Sequence, residues 1–367
     1  MAWKSRSLQG ECTRRRLGFG PPKAHSRGFI RLAAVVAVLF IGAVVSAAVY
    51  LLRDPGAPLN LASIPSLAKP KAPVEPSGGT TTKSPEARKV DAILDSVDSL
   101  LRNNKTAEAE SVVKGAIAQY PSDQRLHIAF AELMLGKDDY PAAYESFVRA
   151  LASGDRDAKL EFQAGTVASM IGKNDRALEH YAAAQTADAT NAEYPLYLGQ
   201  VQLQLGKLNE ARASLVRAGH LNPDDGRVWG SLAEIALREN KLDAAMQHIE
   251  KARKLQPRIT LWRFIEARIH SRAGRPEKAV ELLIGLEPAE RNSEPAARVL
   301  ADALSALRRD GEAAEVLAAA SDAVPTNTNL AFDAAVRARK GGDADRFARL
   351  RDRAVKLGHP DASKLAE

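Results

Sequence analysis

Residues 191–225 read NAEYPLYLGQVQLQLGKLNEARASLVRAGHLNPDD, two helix-forming runs divided at Gly206 and closed by Pro223. Proline stops the second run because it lacks an N–H and its ring clashes with the preceding turn. Outward from Ala211, an alanine recurs every 34 residues, at Ala109, Ala143, Ala177, Ala245, Ala279 and Ala313. A fixed period of this length marks a tandem array in which one supersecondary unit is copied along the chain. Composition agrees. Aromatic residues are only 5% of the chain, alanine is abundant, and helix propensity is high with no strand-like alternation.

With Ala109 set at position 20 of a repeat that begins at Val90, other offsets recur as well. Position 8 is small, as in Ala131, Gly165, Gly199, Ala233 and Ala267, and lets the two helices of one repeat approach closely. Position 24 is bulky, with Val113, Phe147, Tyr181, Leu215, Ile249, Leu283 and Leu317 filling the space between repeats. Position 27 is alanine except at Leu286, and Pro121, Pro223, Pro257 and Pro325 hold position 32. These rows resemble the tetratricopeptide repeat family over residues 89–361. The resemblance implies an all-α fold, a right-handed α-solenoid of about seven 34-residue helix-pair repeats plus a C-terminal capping helix pair. Phe347 at position 20 and Arg351 at the normally apolar position 24 fit a cap whose outer face meets water. Gly341-Gly342 marks the turn between its two helices. Asp138-Asp139 and Asp224-Asp225 fall at inter-helix turns, where acids cap helix N-termini and favour the helix dipole.

The other end reads differently. Leu32–Leu52 is LAAVVAVLFIGAVVSAAVYLL, 21 residues without a charge. At about 1.5 Å per residue it matches a hydrocarbon core of about 30 Å. A transmembrane signal-anchor helix is therefore expected over 29–52, touching the membrane from Phe29 to Leu52. Residues 1–31 carry eight basic side chains against Glu11, a net of +7 that equals the excess of the whole chain. The remainder is neutral, so the basic balance is a topology signal rather than a nucleic-acid footprint, and no nucleic-acid partner is expected. Flanking positive charge stays on the cytoplasmic side. The expectation is a single-pass inner-membrane protein with a basic cytoplasmic tail over 1–28 and a periplasmic or otherwise extracytoplasmic repeat domain. Ser46-Ala47-Ala48 also fits a small-residue cleavage site, which keeps a cleaved signal peptide as the alternative. Residues 53–88 hold seven prolines and the run Gly78-Gly79-Thr80-Thr81-Thr82, a linker that cannot bury a core. As a flexible coil it would span roughly 30 to 36 Å.

Signatures of chemistry are sparse. Cys12 is the only cysteine and lies in the basic leader. The seven histidines form no HExxH pair and no zinc-type spacing, and there is no phosphate loop or GxSxG elbow. No enzyme, metal or cofactor is expected.

What the resemblance implies instead is a concave groove lined by the first helix of each repeat, through positions 2, 5, 9 and 12 on one helix face. Position 5 reads Leu94, Ile128, Phe162, Leu196, Gly230, Phe264, Arg298 and Phe332. Position 12 includes Leu101, Leu135, Leu203 and Leu237, with Gln200 and Arg268 at position 9 and Arg272 just beyond the row. Two readings stand side by side: neighbouring helices partly bury these side chains, or they form an apolar track for an extended or helical peptide. The lysines and asparagines with which some relatives clamp a C-terminal carboxylate are missing from the matching positions, which hold Leu94 and Asp98, Ile128 and Glu132, Phe162 and Thr166. Residues 90–225 carry 13 basic and 20 acidic side chains, whereas 226–367 carry 25 and 21. A partner is thus expected in a fixed direction, basic end first. The functional expectation is a membrane-tethered protein–protein interaction scaffold or adaptor in a cell-envelope assembly. The alternative is a periplasmic, chaperone-like holder of translocating or unfolded chains, similar to single-span tetratricopeptide proteins beside the bacterial translocon or in cytochrome c maturation.

Overall fold

Eight helix hairpins follow one another at the period the sequence sets. The computed structural model describes residues 84–366; the expected tail, membrane span and most of the linker lie outside the described residues. First and second helices alternate as α1 (Pro85–Arg102) and α2 (Thr106–Gln119), α3 (Gln124–Leu135) and α4 (Tyr140–Ser153), α5 (Ala158–Met170) and α6 (Asn174–Ala187), α7 (Glu193–Gln204) and α8 (Leu208–Leu221). They continue as α9 (Gly226–Arg238) and α10 (Leu242–Leu255), then α11 (Thr260–Arg272) and α12 (Pro276–Ile284). After the single turn α13 (Pro288–Arg291) come α14 (Glu294–Ala306) and α15 (Asp310–Ala323), then α16 (Thr328–Lys340) and α17 (Ala344–Lys356). A 3-10 turn over Ala362–Ala366 packs on α17. All 17 helices are α-helical and no strand occurs among the described residues. Each helix packs on the next in sequence, except that α12 packs on α14 past the single turn α13, and first helices of adjacent repeats also touch, as α1 does α3 and α7 does α9.

The turn inside each hairpin is the most regular element. Asn104, Asp138, Gly172, Gly206, Asn240, Gly274, Arg308 and Gly342 all have positive φ, between 58° and 76°. Each occupies the same repeat position, one residue before a 6→1 hydrogen bond that closes the preceding helix, such as Lys207 N–H to the Gln202 carbonyl at 2.9 Å. This is the Schellman cap, which satisfies carbonyls the helix end leaves open and requires a left-handed residue. At the other end, acids cap several of the helices. Asp139 accepts from the Ala142 N–H, Asp157 from Leu160, and Asp225 from Arg227.

Packing follows the rows. Phe147, Leu215, Ile249 and Leu283 at position 24 are fully enclosed, as are the alanines of position 20. Each large aliphatic side chain contributes roughly 1.5 to 3 kcal/mol by leaving water. Gly199 shows why position 8 is small: a Cβ there would meet Leu215 Cγ at 2.8 Å.

Two boundaries differ from the sequence expectation. The array starts at Pro85, inside the expected linker, because Ser84 caps Ala87 N–H at 3.1 Å and Pro85 sits where no N–H is needed. In the sixth repeat α12 ends at Ile284, before Gly285. Leu286, the residue that breaks the alanine row at position 27, leaves the helix and is buried in the core. The cap itself is closed over: His359 stacks on Phe332 with ring centroids 4.1 Å apart.

Candidate binding face

Positions 2, 5, 9, 12 and 13 fall on one side of each first helix, and side-chain bonds tie successive copies together laterally. At position 2, Arg125 donates to Asp91 at 2.5 Å and Arg227 to Glu193 at 2.5 Å, each across 34 residues. At position 9, Arg268 donates to Glu234 at 2.6 Å across the same interval. At position 13, Arg238 donates to the Leu203 carbonyl at 3.0 Å and Arg272 to the Leu237 carbonyl at 2.7 Å, so each reaches the open C-terminal end of the preceding first helix. A cation there also opposes the negative end of the helix dipole. Farther on, Arg298 pairs with Glu294 and Asp333, and Arg337 with Asp302. The rungs between side chains are charge-assisted, which makes them shorter and stronger than neutral hydrogen bonds.

Electrostatics follow the rungs. Burial alone would lower the Arg227 guanidinium, but the Asp225 and Glu193 carboxylates outweigh it and hold its pKa above the ordinary range. Burial pushes the Tyr197 phenol up to about 12. The Glu132 carboxyl stands above its ordinary range because it is desolvated on the face, with Asp98 raising it further and Lys159 opposing.

The residues expected to line an apolar track do not share one environment. Leu196, Leu203 and Leu237 are enclosed, and Phe162 and Phe264 retain only 8% exposure. Phe162 packs against the rings of Tyr181, Tyr194 and Tyr197 at centroid distances of 5.5, 5.3 and 5.1 Å, and the Arg268 guanidinium lies 5.6 Å from the Phe264 ring centre. Gly230 at position 5 is small because Trp262 fills its space: a Cβ would meet Trp262 Cζ3 at 2.1 Å. In repeats 3 to 6 the neighbouring helices therefore cover the apolar rows. Leu94, Ile128 and Phe332 are half-buried, Arg268 is half-buried and Arg272 is exposed. Gln200 is 4% exposed and its carboxamide Nε2 has no hydrogen-bond partner.

Comparison with known proteins agrees with this geometry. Two tetratricopeptide repeat models match, over residues 172–235 and 226–259. Residues 172–259 carry tetratricopeptide repeats. The chain is 23% identical over 188 residues to the mouse protein named Superkiller complex protein 3, a match covering 49% of this chain and 12% of that protein. A tetratricopeptide repeat protein from Parabacteroides merdae superposes with a TM-score of 0.54 at 12% identity, covering 73% of this chain and 99% of that one. The Cut9–Hcn1 hetero-tetramer structure gives 0.52 at 12% identity, covering 77% of this chain and 56% of that one. These structural likenesses concern the fold.

The lateral rungs are the part of the site that sequence reading passed over. Their signal is present in the chain: opposite charges separated by one repeat length, as in Asp91 and Arg125, Glu193 and Arg227, Glu234 and Arg268.

Proposed function

We propose that this tetratricopeptide array is the partner-binding part of a membrane-tethered scaffold, with a polypeptide bound along the first-helix face and the apolar segment Phe29 to Leu52 holding the array to a cell-envelope membrane. The observation that carries the binding reading is the lateral pairing of Asp91, Arg125, Glu193, Arg227, Glu234 and Arg268, which fixes polar side chains from successive repeats into one pre-organised surface. Ordering those side chains beforehand reduces the entropy lost when a partner binds. The uncharged run and its basic leader support the tether. The name of the mouse relative places that protein in a complex, in keeping with an assembly role here.

The test is site-specific photocrosslinking in cells, with the crosslinker at exposed first-helix positions Asp98, Glu132 and Asn329 and at second-helix controls Glu145 and Lys251. A single envelope protein captured from the first-helix positions alone is the expected result. Equal capture from both sides would sink the face assignment. A broad set of exported chains would point to the holder of unfolded clients instead.

A further inference from the structure

The apolar rows of the binding face are open in repeats 1 and 2 and covered in repeats 3 to 6; in the last repeat His359 stacks on Phe332. On α1, Leu94 is half-buried and Leu101 is 38% exposed; on α3, Ile128 and Leu135 are half-buried. At the same offsets in repeats 3 to 5, Phe162, Leu196, Leu203 and Leu237 are covered. The two open rows lie side by side, since α1 and α3 are in contact and Arg125 bonds to Asp91 between them.

Charge around this open strip differs from the rest of the face. Elsewhere the acids of the face meet arginines: Glu193 meets Arg227, Glu234 meets Arg268 and Arg238, and Asp302 meets Arg337. Asp95, Asp98 and Glu132 flank the strip, reach solvent, although the Glu132 carboxyl is partly desolvated, and take part in no ion pair among the described residues. Asp98 and Glu132 occupy position 9 of adjacent repeats, the place where repeats 5 and 6 carry the opposite charges Glu234 and Arg268. Repeats 1 and 2 therefore present two carboxylates where repeats 5 and 6 close a rung. Lys159 acts on Glu132 from the third repeat, yet the Glu132 carboxyl still stands above its ordinary range.

We propose that repeats 1 and 2 dock a basic amphipathic segment of a partner polypeptide, in which lysine or arginine side chains alternate with aliphatic ones. The aliphatic side chains cover Leu94, Leu101, Ile128 and Leu135, and the cations complete the rungs at Asp95, Asp98 and Glu132. An acidic segment would add like charge to a strip that already carries three carboxylates, which disfavours it. The proposal rests on the reading of the first-helix face as the binding face and adds the chemistry of what binds there.

The experiment measures fluorescence anisotropy of labelled peptides titrated with the full-length protein. One peptide alternates lysine with leucine and serine, a second replaces every lysine with glutamate, and a third is residues 1–31 of this chain. The lysine peptide is expected to bind at least about tenfold more tightly than the glutamate peptide, with affinity falling as salt rises. The double variant Asp98→Lys with Glu132→Lys should lose about tenfold or more, and Asp98→Asn with Glu132→Gln, which leaves the packing in place, should lose part of that. Equal binding of the lysine and glutamate peptides overturns the proposal, as does tighter binding of residues 1–31, which would make the occupant a segment of this chain. If the charge-reversed protein binds unchanged while Gln200→Ala and Arg268→Gln abolish binding, the basic class is wrong and the face reading stands. If neither pair of changes matters, the face reading falls with it.

Discussion

Arg268 Nη1 lies 2.6 Å from Glu234 Oε2, joining the first helices of the fifth and sixth repeats across 34 residues. The Glu234 side chain is 4% exposed and its other oxygen accepts from Arg238 at 3.1 Å. Removing Arg268 leaves a nearly buried carboxylate with one partner instead of two. Arg268→Gln is expected to destabilise the array by about 1 to 3 kcal/mol, because a buried acceptor loses a charge-assisted bond. The loss should be local, since repeats contact only their neighbours. Amide hydrogen exchange is the measurement: faster exchange in α9 and α11, with α3 and α4 unchanged, is expected, and uniform acceleration would contradict the local reading.

The hairpin turns give a cleaner comparison. A Cβ on Gly206, at φ of 73°, would meet nothing within 4 Å, so Gly206→Ala tests conformation without overpacking. It should cost about 1 kcal/mol, the lower end of what an L-residue forfeits in the left-handed region. Arg308 takes the same conformation, with φ of 61°, without being glycine, asparagine or aspartate. Arg308→Gly should therefore raise the midpoint of thermal unfolding, with a gain in stability of less than about 1 kcal/mol because glycine also gains freedom in the unfolded chain. A lowered midpoint would show that the Arg308 side chain contributes more than its backbone costs.

Gly230 and Trp262 meet across the interface of the fifth and sixth repeats. An alanine methyl at 230 would fall 2.1 Å from Trp262 Cζ3, so the indole has to move. Gly230→Ala is expected to cost about 1 to 3 kcal/mol, the usual penalty of overpacking a filled core. Trp262 is 2% exposed, so its displacement is readable as a shift of tryptophan emission toward longer wavelength. Emission and stability both unchanged would mean the interface has room that the geometry denies.

Much of this architecture is legible in the sequence because the rows are set by local sterics. Ala211 recurs where helices touch, Leu215 where repeats meet, and Gly206 where the chain turns left-handed. Each is dictated within one repeat, so one copy predicts the next. The binding face is less legible because its exposure is set by the following repeat. Leu101 and Leu203 hold the same position in their helices, yet Leu101 is 38% exposed and Leu203 is enclosed. Arg238 lies over the end of α7 and bonds the Leu203 carbonyl; the residue one repeat after Arg102 is Gly136, which has no side chain to do the same at Leu101. Arg308 likewise carries no sequence mark of a turn residue and is placed by the Schellman bond that follows it, Arg309 N–H to the Leu304 carbonyl.

Glu110 carries the pH prediction. Hydrogen bonds from Lys114 and Lys137, at 2.7 and 2.6 Å, hold its pKa down from 4.5 to about 2. Lys137 comes from the next hairpin, so this carboxylate bridges α2 to the turn between α3 and α4. A carboxyl with a lower pKa in the folded state binds protons less readily there than in the unfolded chain. Its contribution is fully present above pH 4.5 and is lost as pH falls toward 2. Glu110→Gln should therefore lower stability slightly at neutral pH and flatten the acid limb of the stability profile over that window. The two lysines are largely exposed, so salt should screen much of the effect. Urea unfolding of both proteins across the window decides it: parallel acid limbs for wild type and Glu110→Gln would show that the bridge contributes nothing to linkage.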